Sequence, residues 1–146
     1  MQPSYKHYLK IIRNTCTGHE RPVTIPSEEL ADLARLAEEH CTVPFVLSSF
    51  RGTPFYSSML QRTRSMMLNY YQIDQFTRHT VSLLEDNGID CILLKGISLA
   101  SCYPVPEYRK LGDLDLYISR KSDISKAQKL LESHGYIAEN KLSDHH

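Results

Sequence analysis

The sequence predicts a small domain of the α/β class, and within it the α+β type. We expect helices to pack on a small mixed β-sheet, with a helical segment before this core. The chain of 146 residues has the length of one domain. Its composition, 41% hydrophobic and 23% charged, is that of an ordinary globular protein. The hydrophobic period is helical before Gly88 and strand-like after it. We therefore expect one compact domain, with a helical segment at 1-87 packed on an α/β core at 88-146.

The charge balance narrows the classes of partner. Seventeen basic and seventeen acidic residues leave no net charge, which does not favour nucleic acid or a membrane surface. No apolar run approaches the roughly twenty residues of a membrane span, and the N-terminus lacks the apolar core of a secretory signal. The four cysteines form no Cys-x-x-Cys pair, so we expect reduced thiols in a cytoplasmic protein. Self-association is left open.

Two helices are predicted in the first part of the chain. Ser27 can cap the first, whose apolar face runs until Thr42 and Pro44 end it. A longer helix is predicted over Phe55 to Glu85, because apolar residues recur there at helical spacing. Ser48 to Pro54 is expected to be a loop between them.

The second part alternates strands and helices. The apolar run at 91–94 predicts a buried strand, followed by a short helix from about Ile97 to Cys102. Polar and apolar residues alternate from Asp113 to Ile118, as in a half-buried strand. Ser122 opens a further helix, and Tyr136 to Ala138 can start a third strand.

Asp113 and Asp115 are the candidate catalytic and metal-binding residues. Alternate side chains of a strand share a face, so the two carboxylates would lie about 6–7 Å apart at their Cα atoms. Magnesium suits such a site, because it takes one or two carboxylates together with phosphate oxygens. Zinc would require sulfur or imidazole ligands, which are absent there. An Asp-x-Asp pair also arises by chance at the ends of strands, so this pattern needs support from other residues.

Lys95, Gly96 and Ser98 are candidate phosphate-binding residues. Lys95-Gly96 falls between a predicted strand and a predicted helix, where free backbone N–H groups favour an anion. Gly96 would let a phosphate approach the backbone closely. Lys95 is either a phosphate contact or a solvated residue at a strand end. Ser98 is likewise either a hydroxyl donor to phosphate or a solvated residue.

Arg109 lies in the loop before the acidic strand, where prolines could aim its side chain into the same cleft. One interpretation is a bidentate contact with phosphate. The other is an intramolecular pair with Asp113 or Glu107, and the sequence leaves both open.

These elements together resemble a known family. The segment from Leu93 to Ala100, then Tyr103-Pro104, Arg109, the Gly112 to Leu116 stretch and the later Gly135-Tyr136 look like the uncharacterised bacterial nucleotidyltransferase family of the polymerase-β-like nucleotidyltransferase superfamily. Their order and spacing match together from about Ile89 onwards. The resemblance covers the first part of the chain only in a general way, as helices.

The resemblance implies an activity. It implies that a nucleoside monophosphate is transferred from a nucleoside triphosphate such as ATP to an unknown small-molecule or protein acceptor. Asp113 and Asp115 would bind Mg²⁺, or Mn²⁺ in its place. Gly96 and the start of the following helix would face the triphosphate.

One departure from the superfamily pattern opens a second hypothesis. The superfamily usually supplies a third carboxylate from a later strand, and we expect this chain to be truncated before that strand would be complete. After the predicted start of the third strand at Tyr136, Glu139 and Asp144 are the only acids left, and neither is assigned. The alternative function is therefore a non-catalytic nucleotide-binding or partner-binding module that keeps the fold.

Overall fold

The fold consists of six α-helices and a small antiparallel sheet in the part of the chain that the computed structural model describes, residues 3–18 and 23–138. This arrangement confirms the predicted α+β class. The helices are α1 (Pro3–Cys16), α2 (Leu30–Glu39), α3 (Val43–Val46), α4 (Tyr56–Asp86), α5 (Ile97–Ala100) and α6 (Lys121–Ser133). The strands are β1 (Cys91–Leu93) and β2 (Leu116–Ile118), and short 3-10 turns occupy Ser27–Glu29, Leu47–Phe50 and Pro106–Tyr108.

The first helices pack around an apolar core, which we call the helical cluster. Its buried members include Ile11 from α1, Leu33 and Ala37 from α2, Val46 from α3 and Met59 from α4. The long helix was predicted at Phe55 to Glu85 and is confirmed, with each end displaced by one residue. Helix α1 was not predicted, although its buried residues Ser4, Tyr8 and Ile11 recur at helical spacing and Tyr8 belongs to the apolar core.

The boundaries of α2 differ from the prediction. Ser27 begins a 3-10 turn whose N-terminus has no side-chain cap, so the predicted capping role is wrong. At the other end, the helix stops at Glu39 because Cys41 adopts the left-handed conformation, with φ of 54°. The Thr42 N–H then donates to the Ala37 carbonyl at 2.8 Å, which is a common way to close a helix. Pro44 lies in the first turn of α3, where its missing N–H costs nothing.

The sheet is smaller than predicted. β1 and β2 pair antiparallel, with Cys91 opposite Ile118 and Leu93 opposite Leu116. The predicted strand at Asp113 to Ile118 forms only from Leu116, and Tyr136 to Ala138 is not a strand. Tyr136 instead packs on α4, since its hydroxyl lies 2.9 Å from that of Thr80 and its ring lies 5.6 Å from that of Phe76.

The two faces of the sheet have different surroundings. One face packs on a second core, the sheet cluster, built on Leu84 of α4, Ile89 and Ala127 of α6. The other face is open, with Ile92 58% and Tyr117 51% exposed. Within the described residues, no helix combines the length and the apolarity that crossing a membrane requires.

Candidate functional site

The two aspartates stand at the end of the sheet, next to the turn that follows β1. Asp115 directly precedes β2, and its carbonyl accepts a hydrogen bond from the Leu94 N–H at 3.0 Å. This bond continues the pairing of β1 with β2 by one position, so the register fixes where Asp115 lies. Asp113 lies two residues earlier in an exposed loop rather than in the predicted strand. The acids therefore sit at the mouth of the sheet.

Gly96 brings the turn against the acidic segment. Its φ of 71° and ψ of −115° belong to a region that only glycine adopts readily. A Cβ atom built on Gly96 would lie 3.4 Å from the carbonyl oxygen of Asp113, so the two backbones are close neighbours. The predicted proximity of Gly96 to the acids is thus present in the fold.

Lys95 forms an ion pair with Asp115. Its Nζ lies 3.2 Å from Asp115 Oδ2, and the two side chains are 66% and 30% exposed. The lysine is largely solvated, but the Oδ2 atom is shielded from water, so the attraction is screened less than that between two exposed groups. Lys95 is therefore neither an isolated solvated residue nor a group committed to a rigid contact, and its role towards phosphate stays a prediction.

Asp115 has unused capacity to bind a ligand. Its Oδ2 is sealed from solvent and accepts no hydrogen bond, although the Lys95 ammonium lies near it without the alignment of one. A shielded carboxylate oxygen without a donor is costly unless a partner satisfies it. A hard divalent cation is such a partner, so Asp115 fits the predicted metal. Asp113 has no hydrogen bond or ion pair within the described chain, and its carboxylate is exposed.

Ser98 stabilises the turn in this structure. Its hydroxyl donates to the carbonyls of Leu94 and Lys95, one turn back along the chain. The following helix, α5, spans only Ile97–Ala100 and is shorter than the predicted Ile97 to Cys102. Because so short a helix has a small dipole, phosphate binding here would depend on Gly96 and the basic side chains.

Arg109 contacts the turn but not the acids. Its Nε donates to the Gly96 carbonyl at 3.2 Å, and a terminal nitrogen donates to the Tyr103 hydroxyl at 3.0 Å. The alternative in which Arg109 pairs with Asp113 or Glu107 is wrong for the described residues. The guanidinium donates instead to the Gly96 carbonyl and to the Tyr103 hydroxyl. The phosphate interpretation stays a prediction.

Two residues of α4 that were not predicted hold the loop that carries Arg109. Asn69 donates to the Leu111 carbonyl at 2.8 Å, and the Tyr71 hydroxyl donates to the Glu107 carboxylate at 2.7 Å. That hydrogen bond to a carboxylate raises the pKa of Tyr71. These contacts join residues 42 and 36 positions apart, so no local pattern could reveal them.

The described residues contain no cluster of three or more histidine, cysteine or acidic side chains arranged to hold a metal ion. A metal at this place would thus have Asp113 and Asp115 as its ligands from the described chain. Glu139 and Asp144, the two acids that follow the predicted start of the third strand, lie outside the described residues.

Comparison with known proteins gives a single result. No curated protein and no solved structure matches the chain significantly. The model of a family described as an uncharacterised nucleotidyltransferase matches residues 26–146, which includes every residue of the candidate site. Since that match covers most of the sequence, the chain belongs to this uncharacterised nucleotidyltransferase family.

Proposed function

We propose that the protein is a magnesium-dependent nucleotidyltransferase that transfers a nucleoside monophosphate from a nucleoside triphosphate to a small-molecule or protein acceptor. Membership of the family supports nucleotidyl transfer in general. The observation that carries the finer proposal is the shielded Oδ2 of Asp115 beside the Lys95-Gly96 turn, which accepts no hydrogen bond and has the Lys95 ammonium 3.2 Å away. It places a carboxylate that suits a cation beside the basic side chain of Lys95 and the open backbone of Gly96, which suit a phosphate.

The carboxylates of Asp113 and Asp115 are the groups that would hold Mg²⁺, or Mn²⁺ in its place. When bound, the ion supplies charge neutralisation on the triphosphate and on the departing pyrophosphate. In the reaction, an acceptor oxygen or nitrogen forms a bond to the α-phosphorus. The bond from that phosphorus to the bridging oxygen of the pyrophosphate breaks.

Lys95 and Arg109 are the groups that would bind the triphosphate. The Lys95 side chain is 66% exposed, and its ammonium can turn to a phosphate when a cation replaces it beside the shielded Oδ2 of Asp115. Arg109 uses two of its five N–H donors on Gly96 and Tyr103, which leaves donors for a phosphate oxygen. Its hydrogen bond to Gly96 would keep those donors beside the turn.

A second candidate function is a nucleotide-binding or partner-binding module without turnover. The small number of acids at the site favours this candidate. Among residues 3–18 and 23–138, no third potential metal ligand lies with Asp113 and Asp115. Both candidates predict binding of a metal-triphosphate complex. They differ only in whether the α-phosphate is transferred.

Transfer of label separates these candidates. The chain is incubated with Mg²⁺, fractions of cell extract and each of the four ribonucleoside triphosphates, labelled at the α- or at the γ-phosphate. We expect α-label to appear in an acceptor and γ-label to remain with pyrophosphate. The variant Asp113→Asn with Asp115→Asn should transfer nothing. The matched control Asp32→Asn with Asp86→Asn, which removes two exposed acids elsewhere, should keep the activity.

Other outcomes are equally informative. Transfer of γ-label without α-label would contradict nucleotidyl transfer. Binding of the triphosphate without any transfer would favour the non-catalytic module, and transfer by the double variant would remove the reaction from Asp113 and Asp115.

A further inference from the structure

A second concave surface lies on the other side of Arg109. This cleft has a volume of about 290 Å³ and separates the N-terminal helices from the loop that carries Arg109. Neither aspartate lines it, nor do Lys95, Gly96 or Ser98. Arg109 is therefore the one residue that the cleft shares with the candidate nucleotide site.

One wall of the cleft is aromatic. Phe45 lies at its base, 5% exposed, with its ring centroid 5.9 Å from that of Tyr103 and 5.4 Å from that of Tyr108. The Tyr108 ring meets Phe45 edge-on, at 76°. Tyr103 and Tyr108 are half-buried and line the cleft, and the Arg109 guanidinium lies over the Tyr103 ring, 5.5 Å from its centroid. A planar apolar group can pack against such a wall in offset or edge-on contact.

The rim of the cleft is cationic. Arg109 and Lys110 line it, and its described lining contains no aspartate or glutamate. Neither cation forms an ion pair with a carboxylate of the described chain. Arg109 is held by Gly96 and Tyr103 in a fixed orientation, which lowers the entropy cost of binding a ligand. Two adjacent, uncompensated cations, one of them oriented, favour an anion.

We propose that this cleft binds a small aromatic anion, with its ring on Phe45, Tyr103 and Tyr108 and its anionic group on Arg109 and Lys110. The volume of about 290 Å³ lies just below the roughly 300–1,000 Å³ usual for small-molecule sites, which limits the ligand to about one ring. A carboxylate and a phosphate both satisfy the rim. The proposal does not depend on nucleotidyl transfer, because only Arg109 belongs to both sites.

Cysteine alkylation tests the proposal. Cys16 and Cys41 line the cleft, whereas Cys102 is exposed outside it and serves as an internal control. The chain is treated with N-ethylmaleimide without metal or triphosphate, in the presence of phenyl phosphate, benzoate or neutral benzyl alcohol. Mass spectrometry then follows the rate of modification at each cysteine.

We expect phenyl phosphate, benzoate or both to slow modification of Cys16 and Cys41 while Cys102 reacts as before. The more effective of the two identifies the anionic group. Benzyl alcohol should protect neither cysteine. Lys110→Gln should weaken protection by about tenfold, because a charge-assisted contact is lost, whereas the control Lys129→Gln should change nothing.

Three results would overturn the proposal. They are equal protection of all three cysteines, protection by benzyl alcohol as strong as by the anions, and unchanged protection in Lys110→Gln. Absence of protection by either anion at millimolar concentration would overturn it too. Because Lys110 is exposed, its variant should fold normally, and its melting temperature checks this. The experiment omits magnesium and triphosphate, so failure of the proposed transferase activity would not affect its outcome.

Discussion

At the scale of single residues, the site depends on a carboxylate whose partners are incomplete. Asp115 has the Lys95 ammonium nearby, yet its shielded oxygen accepts no hydrogen bond. Asp123 shows the opposite case. It is 3% exposed, and Arg120 and Lys126 each approach it to 2.9 Å. The comparison shows that this chain can surround a buried acid with aligned donors, whereas the shielded oxygen of Asp115 has only an unaligned ammonium among the described residues, which supports the proposal that it binds a cation.

The satisfied acid gives a prediction of pH dependence. The Lys126 hydrogen bond, followed by the Arg120 charge, lowers the pKa of Asp123 in the folded chain. Its contribution to stability is therefore complete above the ordinary aspartate pKa of about 3.9 and is lost as the pH falls through the lowered value. Asp123→Asn should be less stable than wild type at pH 7, and the difference should shrink towards pH 3.

Urea unfolding across this range measures the difference. The control Asp90→Asn removes another carboxylate that pairs with Arg120. Because the Asp90 side chain is 83% exposed, this change should have a much smaller effect on stability. A difference between Asp123→Asn and wild type that stays constant with pH would contradict the assignment.

At the scale of elements, the turn between β1 and α5 and the loop before β2 build the site together. The Leu94 to Asp115 hydrogen bond, the Gly96 backbone and the Arg109 side chain join them at three points. The sequence predicted that Lys95, Gly96 and Asp115 belong to one site, because the strand ends and the glycine turn are local features and the family resemblance implies that they act together. It could not predict the acceptors of Arg109, which depend on how the loop from Tyr103 to Leu111 folds onto α4.

Gly96 should be the most sensitive position of this turn. Gly96→Ala places a side chain at φ of 71° and ψ of −115°, which should lower the free energy of unfolding by about 1–3 kcal/mol. Gly112→Ala is the matched control, because its φ is not positive and an added Cβ meets nothing within 4 Å. That change should stay within about 1 kcal/mol. Equal effects of the two substitutions in urea unfolding would contradict the account of the turn.

The element boundaries show where local patterns are insufficient. The Asp113 to Ile118 alternation predicted a strand of twice the length, but pairing requires a partner, and β1 is followed at once by the Lys95-Gly96 turn. Tyr136 to Ala138 has strand-like residues, yet Tyr136 finds its contacts on α4. The residue types of these segments favour a strand, but the strand forms only where a neighbouring strand is available for pairing.

At the scale of the whole molecule, α4 connects the helical cluster to the sheet cluster. It contributes Met59 to the first and Leu84 to the second, over 31 residues. Between these ends, Asn69 and Tyr71 hold the loop that carries Arg109. The loop that carries Arg109 is thus anchored on the middle of the helix that both clusters share. The division of the chain at residue 88 stays a prediction, since α4 belongs to both clusters.

The central claim is that Asp113 and Asp115 bind a metal-triphosphate complex beside Gly96, and the melting temperature tests it most directly. At a free concentration about 100 times Kd, a ligand of the folded state adds about 2.7 kcal/mol, or about 5–10 °C for a chain of this size. We predict such a rise with Mg²⁺ and at least one ribonucleoside triphosphate, retained by Asp32→Asn with Asp86→Asn. The rise should vanish in Asp113→Asn with Asp115→Asn, and an equal rise in that variant would contradict the claim.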